Sequence, residues 1–256
     1  MQIALVRLIA LAFLLGRPLS AAELETVSIA FTGGLNSDVG RGVLLGLEEA
    51  NQMGHYFGFK FVLSENPDAA LLIAATEAGA DLAASNRTVV STVPAPRGAC
   101  RTGLFHVAPS HAMCRSAVEQ WERVHQTDAP AVEAWNSSLV RFAARDLNGR
   151  YRKKFQAPMT GPAWAGWAAA RSFGEAVVRT RKTDSAAIAA YFLGEFALDG
   201  QKGQPLRFRP NHQLRQPLYY VSDAGELVGE APLQSAQGGD GARDLDSLGE
   251  TECTAD

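Results

Sequence analysis

Short apolar runs and amphipathic stretches alternate along the first half of the chain. The runs at 26–31, 59–63 and 88–92 are rich in β-branched and aromatic residues, which predicts three buried strands. Apolar residues recur at helical spacing after the first run and predict a helix over 38–53: Val39, Val43, Leu47, Ala50 and Met53. This alternation predicts an α/β fold, with a parallel sheet and helices on its faces.

Residues 68–84 fit the same alternation. We interpret 68–78 as a helix that Asp68 caps, and 81–84 as a short strand before the run at 88–92. Two prolines, Pro94 and Pro96, then end that run, because proline cannot donate to a sheet ladder.

A second apolar run, at 103–108, predicts the next strand. Ser110 follows Pro109 and fits the N-cap of a helix over 110–126. The buried face of that helix is expected to consist of Ala117, Val118, Trp121 and Val124.

The next part of the chain is predicted to be helical. A four-residue repeat predicts one helix face of about four turns: Leu139, Ala143, Leu147, Tyr151 and Phe155. Residues 163–180 predict a second helix, whose tryptophans we expect to pack against the sheet. Asp184 fits the cap of a shorter helix that ends at Leu193.

Strand patterns follow in residues 196–228, where Leu206 and Phe208 alternate with arginines. Asp223-Ala224-Gly225 has the composition of a hairpin turn. From Glu230 the composition changes to Gly, Ser, Gln and Asp, which predicts a flexible tail.

Residues 1–22 have the features of a secretory signal peptide. Arg7 precedes a short apolar run, and Ser20-Ala21-Ala22 offers small residues for cleavage after Ala22. Without the two arginines of this segment the formal net charge falls from −3 to −5, which gives no reason to expect binding to nucleic acid. No later stretch is long and apolar enough to predict a membrane span.

The three cysteines allow at most one internal disulfide. Cys100 and Cys114 flank the strand predicted at 103–108, and its length holds them farther apart than the roughly 7 Å Cα limit for a bridge. Either of them therefore pairs with Cys253 or stays free.

Candidate chemistry is sparse. Ligands collect at the carboxyl ends of strands in open α/β sheets, so Ser91, Thr92 and Val93 stand where a binding site is expected, although an ordinary scaffold loop is the simpler interpretation. Gly33-Gly34 before a helix is a weak signal for binding a phosphate or carboxylate.

Metal binding and catalysis have weaker support. Cys100, His106, His111 and Cys114 lie close in sequence, but the strand between them prevents a four-ligand site. His111 and Cys114 alone would bind metal weakly, and His106 inside a strand is more typical of a core histidine. The sequence contains no Gly-x-Ser-x-Gly elbow.

Several motifs resemble those of type I periplasmic binding proteins of the branched-chain amino acid and amide type. The strand, Ser/Thr/Pro loop, Phe-containing strand and Ala108-Pro109-Ser110 are similar to the fourth and fifth strands of their first lobe. Cys100-Arg101, the run 104–110, and the motifs Lys202-Gly203-Gln204 and 213–218 resemble a sub-branch that accompanies PQQ-dependent alcohol dehydrogenase systems.

The resemblance implies a parallel Rossmann-like sheet of the binding-protein lobe, with C-terminal helices and a β-hairpin. It implies lobe one over 23–126, a helical segment that packs on it over 131–194, a strand and hairpin segment over 195–229 and a tail over 230–256. Most of lobe two is expected to be missing, at the junction between residues 126 and 131.

Site residues follow from the same resemblance. It implies ligand-binding roles for Gly34 and Asn36 alongside the 91–93 loop, and a Cys100–Cys253 disulfide that leaves Cys114 unpaired. It implies no cofactor and no catalytic residue.

Three functions remain open at this stage. The first is a periplasmic solute-binding-type protein of an ABC transport system linked to PQQ-dependent alcohol oxidation, with an unidentified small-molecule ligand and an ABC permease as partner. The second is a one-lobed scaffold for a periplasmic quinoprotein dehydrogenase or cytochrome. The third is a small metal-binding protein.

Overall fold

A parallel sheet of five strands forms the centre of the structure, a computed structural model that describes residues 23–66, 68–84, 86–95, 100–233 and 244–253. The strand order is β2-β1-β3-β4-β5, and every neighbouring pair runs parallel. This confirms the predicted fold class. The strands are β1 (Glu25–Phe31), β2 (Phe59–Ser64), β3 (Leu71–Ala74), β4 (Thr88–Ser91) and β5 (Leu104–His106).

The third strand is where the sequence prediction was wrong. Leu71–Ala74, predicted as helix, is a fully buried strand between β1 and β4. Helix α2 is short (Glu77–Ala80) and is capped by Thr76 rather than Asp68. Residues 81–84, predicted as a strand, form a turn with a single bridge from Ala84 to Arg87.

Two long helices, α1 (Asp38–Tyr56) and α5 (Gly161–Thr180), pack closely against each other on one side of the main sheet. Glycines allow this contact. A Cβ atom added at Gly42 would lie 1.9 Å from the carbonyl oxygen of Ala163, and one at Gly166 would lie 2.2 Å from that of Val39. Trp164 and Trp167 are buried, as predicted. The third helix of this group, α6 (Ser185–Leu193), is capped by Asp184 as expected.

A second group of elements surrounds a small antiparallel sheet of order β11-β10-β6. It comprises α3 (His111–His125), β6 (Ala131–Glu133), α4 (Ala144–Phe155), β10 (Leu218–Val221) and β11 (Leu227–Ala231). Ser110 caps α3 and Asp223-Ala224-Gly225 turns the β10–β11 hairpin, both as predicted.

Two details of this second group differ from the sequence predictions. α3 buries Met113 and Ala117, whereas Val124 is 61% exposed. The helix predicted from Leu139 begins only at Ala144, and β6 is a strand at the start of the segment 131–194 that was expected to be helical.

Three further short strands continue from the open edge of the main sheet. β7 (Leu198–Asp199), β8 (Pro205–Phe208) and β9 (Leu214–Arg215) form an antiparallel sheet. It joins β5 through a parallel bridge between His106 and Gln213. Phe105 and Phe208 pack edge to face across this junction, with ring centroids 5.1 Å apart.

The C-terminal segment returns to this region. A disulfide joins Cys100 to Cys253, the pairing that the resemblance implies, and Cys114 is free. Residues 244–253 carry a short 3-10 helix (Leu245–Ser247), and the buried Arg209 donates to the carbonyl of its first residue, Leu245, and to that of Leu248, which follows it. Glu230 and Ala231, assigned by sequence to a flexible tail, belong to β11. Residues 234–243 and 254–256 of that tail lie outside the described residues.

The signal peptide expected over 1–22 also lies outside the described residues. Within the described part of the chain, every helix is too short or too polar to cross a membrane.

Candidate ligand-binding site

A cavity of about 490 Å³ lies at the carboxyl ends of β4 and β5. One wall comes from the residues after these strands, including Thr92, Pro94 and Pro109. The opposite wall comes from β6 and the turn that follows it, 132–137, and from 158–165 around the start of α5. The parallel sheet places both strand ends at one edge, and the second group of elements closes over that edge.

The predicted 91–93 loop reaches this cavity only through Thr92. The Ser91 hydroxyl is fully buried, accepts the Val93 amide hydrogen at 3.1 Å and lies 3.3 Å from the Val93 carbonyl. The Thr92 hydroxyl donates to the Ala74 carbonyl at 3.0 Å. Both predicted hydroxyls therefore already make hydrogen bonds within the protein, Ser91 with the loop after β4 and Thr92 with the end of β3.

Gly34 and Asn36 lie in an exposed loop beside the cavity and are not among its lining residues. Ser37 closes that loop by donating to the Gly34 carbonyl at 2.6 Å, and it also caps α1. The loop is linked to the cavity wall indirectly, because Thr160 donates to the Asp38 carboxylate at 2.9 Å.

Apolar side chains make up most of the described cavity wall. They include Trp135, Met159, Pro162 and Ala165. Glu133 is the one carboxylate among the lining residues, and they include no lysine, arginine or histidine. Its carboxylate lies 3.4 Å from the Asn136 amide nitrogen, which donates to it.

The wall formed by 132–137 is held from behind by buried polar side chains. Trp135 donates to Asn148 at 2.9 Å, and Asn148 donates to the carbonyls of Ser137 and Leu139. Since each of these groups finds a partner, the wall has a defined shape without help from a ligand.

Lys202 is the most unusual residue of this support. It is 2% exposed and donates to the Ala134 carbonyl at 2.5 Å, to the Gln216 side chain at 2.7 Å and toward the Pro217 carbonyl at 3.3 Å. Its amine also lies 3.8 Å from the centre of the Trp164 ring. Burial lowers the pKa of Lys202 well below its ordinary value. The resemblance marked the motif around Lys202, but sequence reasoning assigned it no role.

The start of α5 offers little to an anionic ligand. Thr160 occupies the N-cap and accepts from the Ala163 amide at 3.3 Å, and Pro162 has no amide hydrogen. Gly161 lines the cavity and leaves room for a side chain there. A Cβ atom added at this position would meet its nearest neighbours, in Ala134 and Trp135, at 3.8 Å.

Cys114 is half-buried and lines the same cavity. Burial raises the pKa of its thiol, so the thiol stays protonated and is a weak nucleophile and metal ligand. Among the described residues no group of three or more His, Cys, Asp or Glu side chains could hold a metal ion, so the His111–Cys114 pair finds no further ligand of these types.

His106 lies outside the cavity lining, at the junction of β5 and β9. It is 3% exposed, and its Nδ1 atom lies 3.4 Å from the Val93 carbonyl. Its Nε2 atom is buried without a hydrogen-bond partner. Burial lowers the pKa of His106 to about 4, so the ring is neutral near pH 7, as expected for a core histidine.

Comparison with solved structures identifies the fold of this chain. No protein-family model and no curated protein sequence matches the chain. It is similar to an ABC-type branched-chain amino acid transporter from Rhodopseudomonas palustris, with 12% identity and a TM-score of 0.67 over 90% of this chain and 100% of that one.

Two further solved structures agree with the first. An amino acid ABC transporter substrate-binding protein from Pseudomonas fluorescens has 12% identity and a TM-score of 0.63 over 92% of this chain and 100% of its own. A periplasmic binding protein from Burkholderia mallei has 11% identity and a TM-score of 0.62 over 91% of this chain and 99% of its own. The chain therefore has the type I periplasmic binding protein fold.

Proposed function

We propose that this protein is a periplasmic solute-binding-type protein of an ABC transport system, and that it binds a small molecule in the cavity at the ends of β4 and β5. The observation that carries the proposal is the position of the cavity. It lies at the carboxyl edge of a parallel sheet, between the sheet and a second group of elements, where open α/β folds bind ligands. The fold shared with solved substrate-binding proteins supports it.

Two expectations from the sequence belong to this proposal. Export requires the signal peptide expected over 1–22, and an ABC permease would be the transport partner. The scheme of a lobe one over 23–126 with a reduced lobe two also stays a proposal, in which β6, α4 and the β10–β11 hairpin are what remains of the second lobe.

The sequence resemblance further leads us to propose that the system serves PQQ-dependent alcohol oxidation. The cavity wall favours an uncharged ligand within that system. PQQ and the acids formed from alcohols carry carboxylates, and burying an unpaired carboxylate against Glu133 and apolar side chains is costly. An alcohol or aldehyde with an apolar body fits this wall better.

The affinity is expected to be modest. The reduced second group buries less of a ligand than a complete lobe would, while the cost of immobilising the ligand stays nearly the same. We therefore expect dissociation constants on the order of tens of micromolar for the isolated monomer.

A cavity-filling substitution tests the location of the site. Gly161→Met introduces a flexible side chain into the cavity, where its Cβ atom fits in ordinary contact with Ala134 and Trp135, and should weaken binding at least about tenfold. Gly149→Met is the matched control, since Gly149 is exposed on α4 and a Cβ atom there meets nothing within 4 Å. Calorimetry against alcohols, aldehydes, their acids, PQQ and amino acids provides the measurement.

The outcomes separate the alternatives. Equal affinity of both variants for a bound compound would place the binding site elsewhere. Nanomolar binding by the monomer would contradict the reasoning about the reduced lobe. A preference for acids or PQQ would contradict the argument from the charge of the wall.

A scaffold for a quinoprotein dehydrogenase or cytochrome is the second candidate. One observation favours it: the hydroxyls of Ser91 and Thr92 make hydrogen bonds within the protein, so neither needs a ligand as its hydrogen-bond partner. Absence of binding across the panel, together with retention of such an enzyme in a pull-down, would support this function over solute binding.

A further inference from the structure

A second groove, of about 610 Å³, lies away from the ligand cavity, between the loop 138–142 and the β10–β11 hairpin. Four large apolar side chains line it and are unusually exposed: Val140 (58%), Phe142 (57%), Leu227 (39%) and Val228 (46%). Contiguous apolar patches of this kind mark interaction surfaces, whereas single exposed apolar residues need no explanation.

The backbone holds Phe142 in place at an energetic cost. Phe142 and the following Ala143 have φ values of 53° and 64°, in the left-handed region that non-glycine residues avoid. The Phe142 ring lies over Gly203, where an added Cβ atom would come within 2.7 Å of it. An exposed aromatic ring fixed in this way loses little conformational freedom on binding, which is typical of an interface anchor.

The hairpin beside this groove ends in an edge strand. β11 pairs with β10 on one side and has no strand on its other side among the described residues. Its sequence, Leu-Val-Gly-Glu-Ala, contains no proline, lysine or arginine, so its protection against pairing is limited to the Glu230 charge and a bulge at Val228, where the register with β10 shifts.

The charges of the groove are self-complementary. Its charged lining residues are Arg141, Glu226 and Glu230, and neither Arg141 nor Glu226 makes an ion pair within the described part of the chain. A surface that carries one unpaired charge of each sign can satisfy both against a copy of itself across a two-fold axis. A strongly acidic or basic partner would match only one of them.

We propose that two copies of this chain associate through this groove, with their β11 strands paired antiparallel across a two-fold axis and Arg141 of each copy facing Glu226 of the other. The two three-stranded sheets then form one sheet of six strands. Phe142 and Val140 of each copy pack over the joined edge. This contact does not use the ligand cavity, so a test of dimerisation is independent of a test of the proposed function.

Sedimentation of the full mature chain between about 1 and 200 µM tests the proposal, with monomer expected at the low end and dimer at the high end. Val228→Lys places a charge beside the edge and should keep the chain monomeric throughout. Leu193→Lys is the matched control, because Leu193 is about as exposed as Val228 (47% against 46%) and ends α6, which packs on α5, β4 and β8. This variant should dimerise normally.

Charge exchange gives the specific test. Arg141→Glu should weaken association about tenfold, and the double variant Arg141→Glu with Glu226→Arg should restore it. Melting curves establish that each variant is folded. A wild-type chain that stays monomeric at the highest concentration overturns the proposal. So does dimerisation that Val228→Lys leaves intact, or a double variant that fails to recover.

Discussion

Removing the Cys100–Cys253 disulfide should destabilise the protein strongly without altering its folded structure. The bond closes a loop with a sequence separation of 153 residues. In the chain-entropy model a loop of this length restricts the unfolded chain by about 5 kcal/mol at 25 °C. The double variant Cys100→Ser with Cys253→Ser removes this restriction and adds two small polar groups.

The folded state has other contacts that keep residues 244–253 in place. Leu245 and Leu248 are fully buried, and Arg209, itself 3% exposed, donates to the carbonyls of both. Arg209 and Arg215 also both contact the Asp246 carboxylate. We therefore expect the native spectrum to be unchanged, with the loss arising mainly in the unfolded state.

Urea unfolding followed by tryptophan fluorescence measures the effect. The double variant should lose about 5 kcal/mol of unfolding free energy, and its m-value should rise because the unlinked chain exposes more surface. Cys114→Ser is the control and should change stability little, since Cys114 forms no bridge. A double variant within about 1 kcal/mol of the wild type would refute the reasoning, and a Cys114–Cys253 peptide in a non-reducing digest would refute the pairing.

Two further substitutions probe the core. Burial lowers the pKa of His106 from 6.5 to about 4 in the folded protein. The unfolded chain therefore takes up this proton first, and the free energy of unfolding falls as pH drops from 6.5 toward 4, by at most about 3 kcal/mol. His106→Gln should lack this part of the acid loss in urea titrations at each pH, and a pH profile identical to that of the wild type would contradict the assignment. Gly42→Ala should cost about 1–3 kcal/mol because its methyl group meets the Ala163 carbonyl. Gly149→Ala, on the exposed face of α4, is the control and should stabilise by up to about 1 kcal/mol. A Gly42→Ala variant that melts at or above the wild-type temperature would exclude the close helix contact.

Sequence patterns located most elements of the fold because those elements carry local signals. α1 carries the predicted apolar face, and Ser110 and Asp184 cap α3 and α6 as predicted. The prediction for β3 was wrong for a physical reason. Its segment, Leu71–Ala74, is made of residues that form helices readily, and only its position between β1 and β4 makes it a strand.

The cavity could be located only in part. Its position at the ends of β4 and β5 follows from the predicted parallel sheet, and Thr92 does reach it. The opposite wall comes from a three-residue strand and from the start of α5, segments that no local pattern brings together. Lys202 supports that wall from sixty-eight positions away in the chain, and its burial depends on partners that are themselves distant in sequence.

The contact between α1 and α5 also affects how the newly made chain behaves. α1 is complete at Tyr56, but the helix that covers it ends only at Thr180. At about 10 residues per second, synthesis of the intervening chain takes roughly ten seconds. Contacts between such distant segments also form slowly, because a long loop must close first. During that interval the emerging chain lacks its main helix pair and stays open to a translocation machinery that requires unfolded polypeptide, which agrees with the export that we propose.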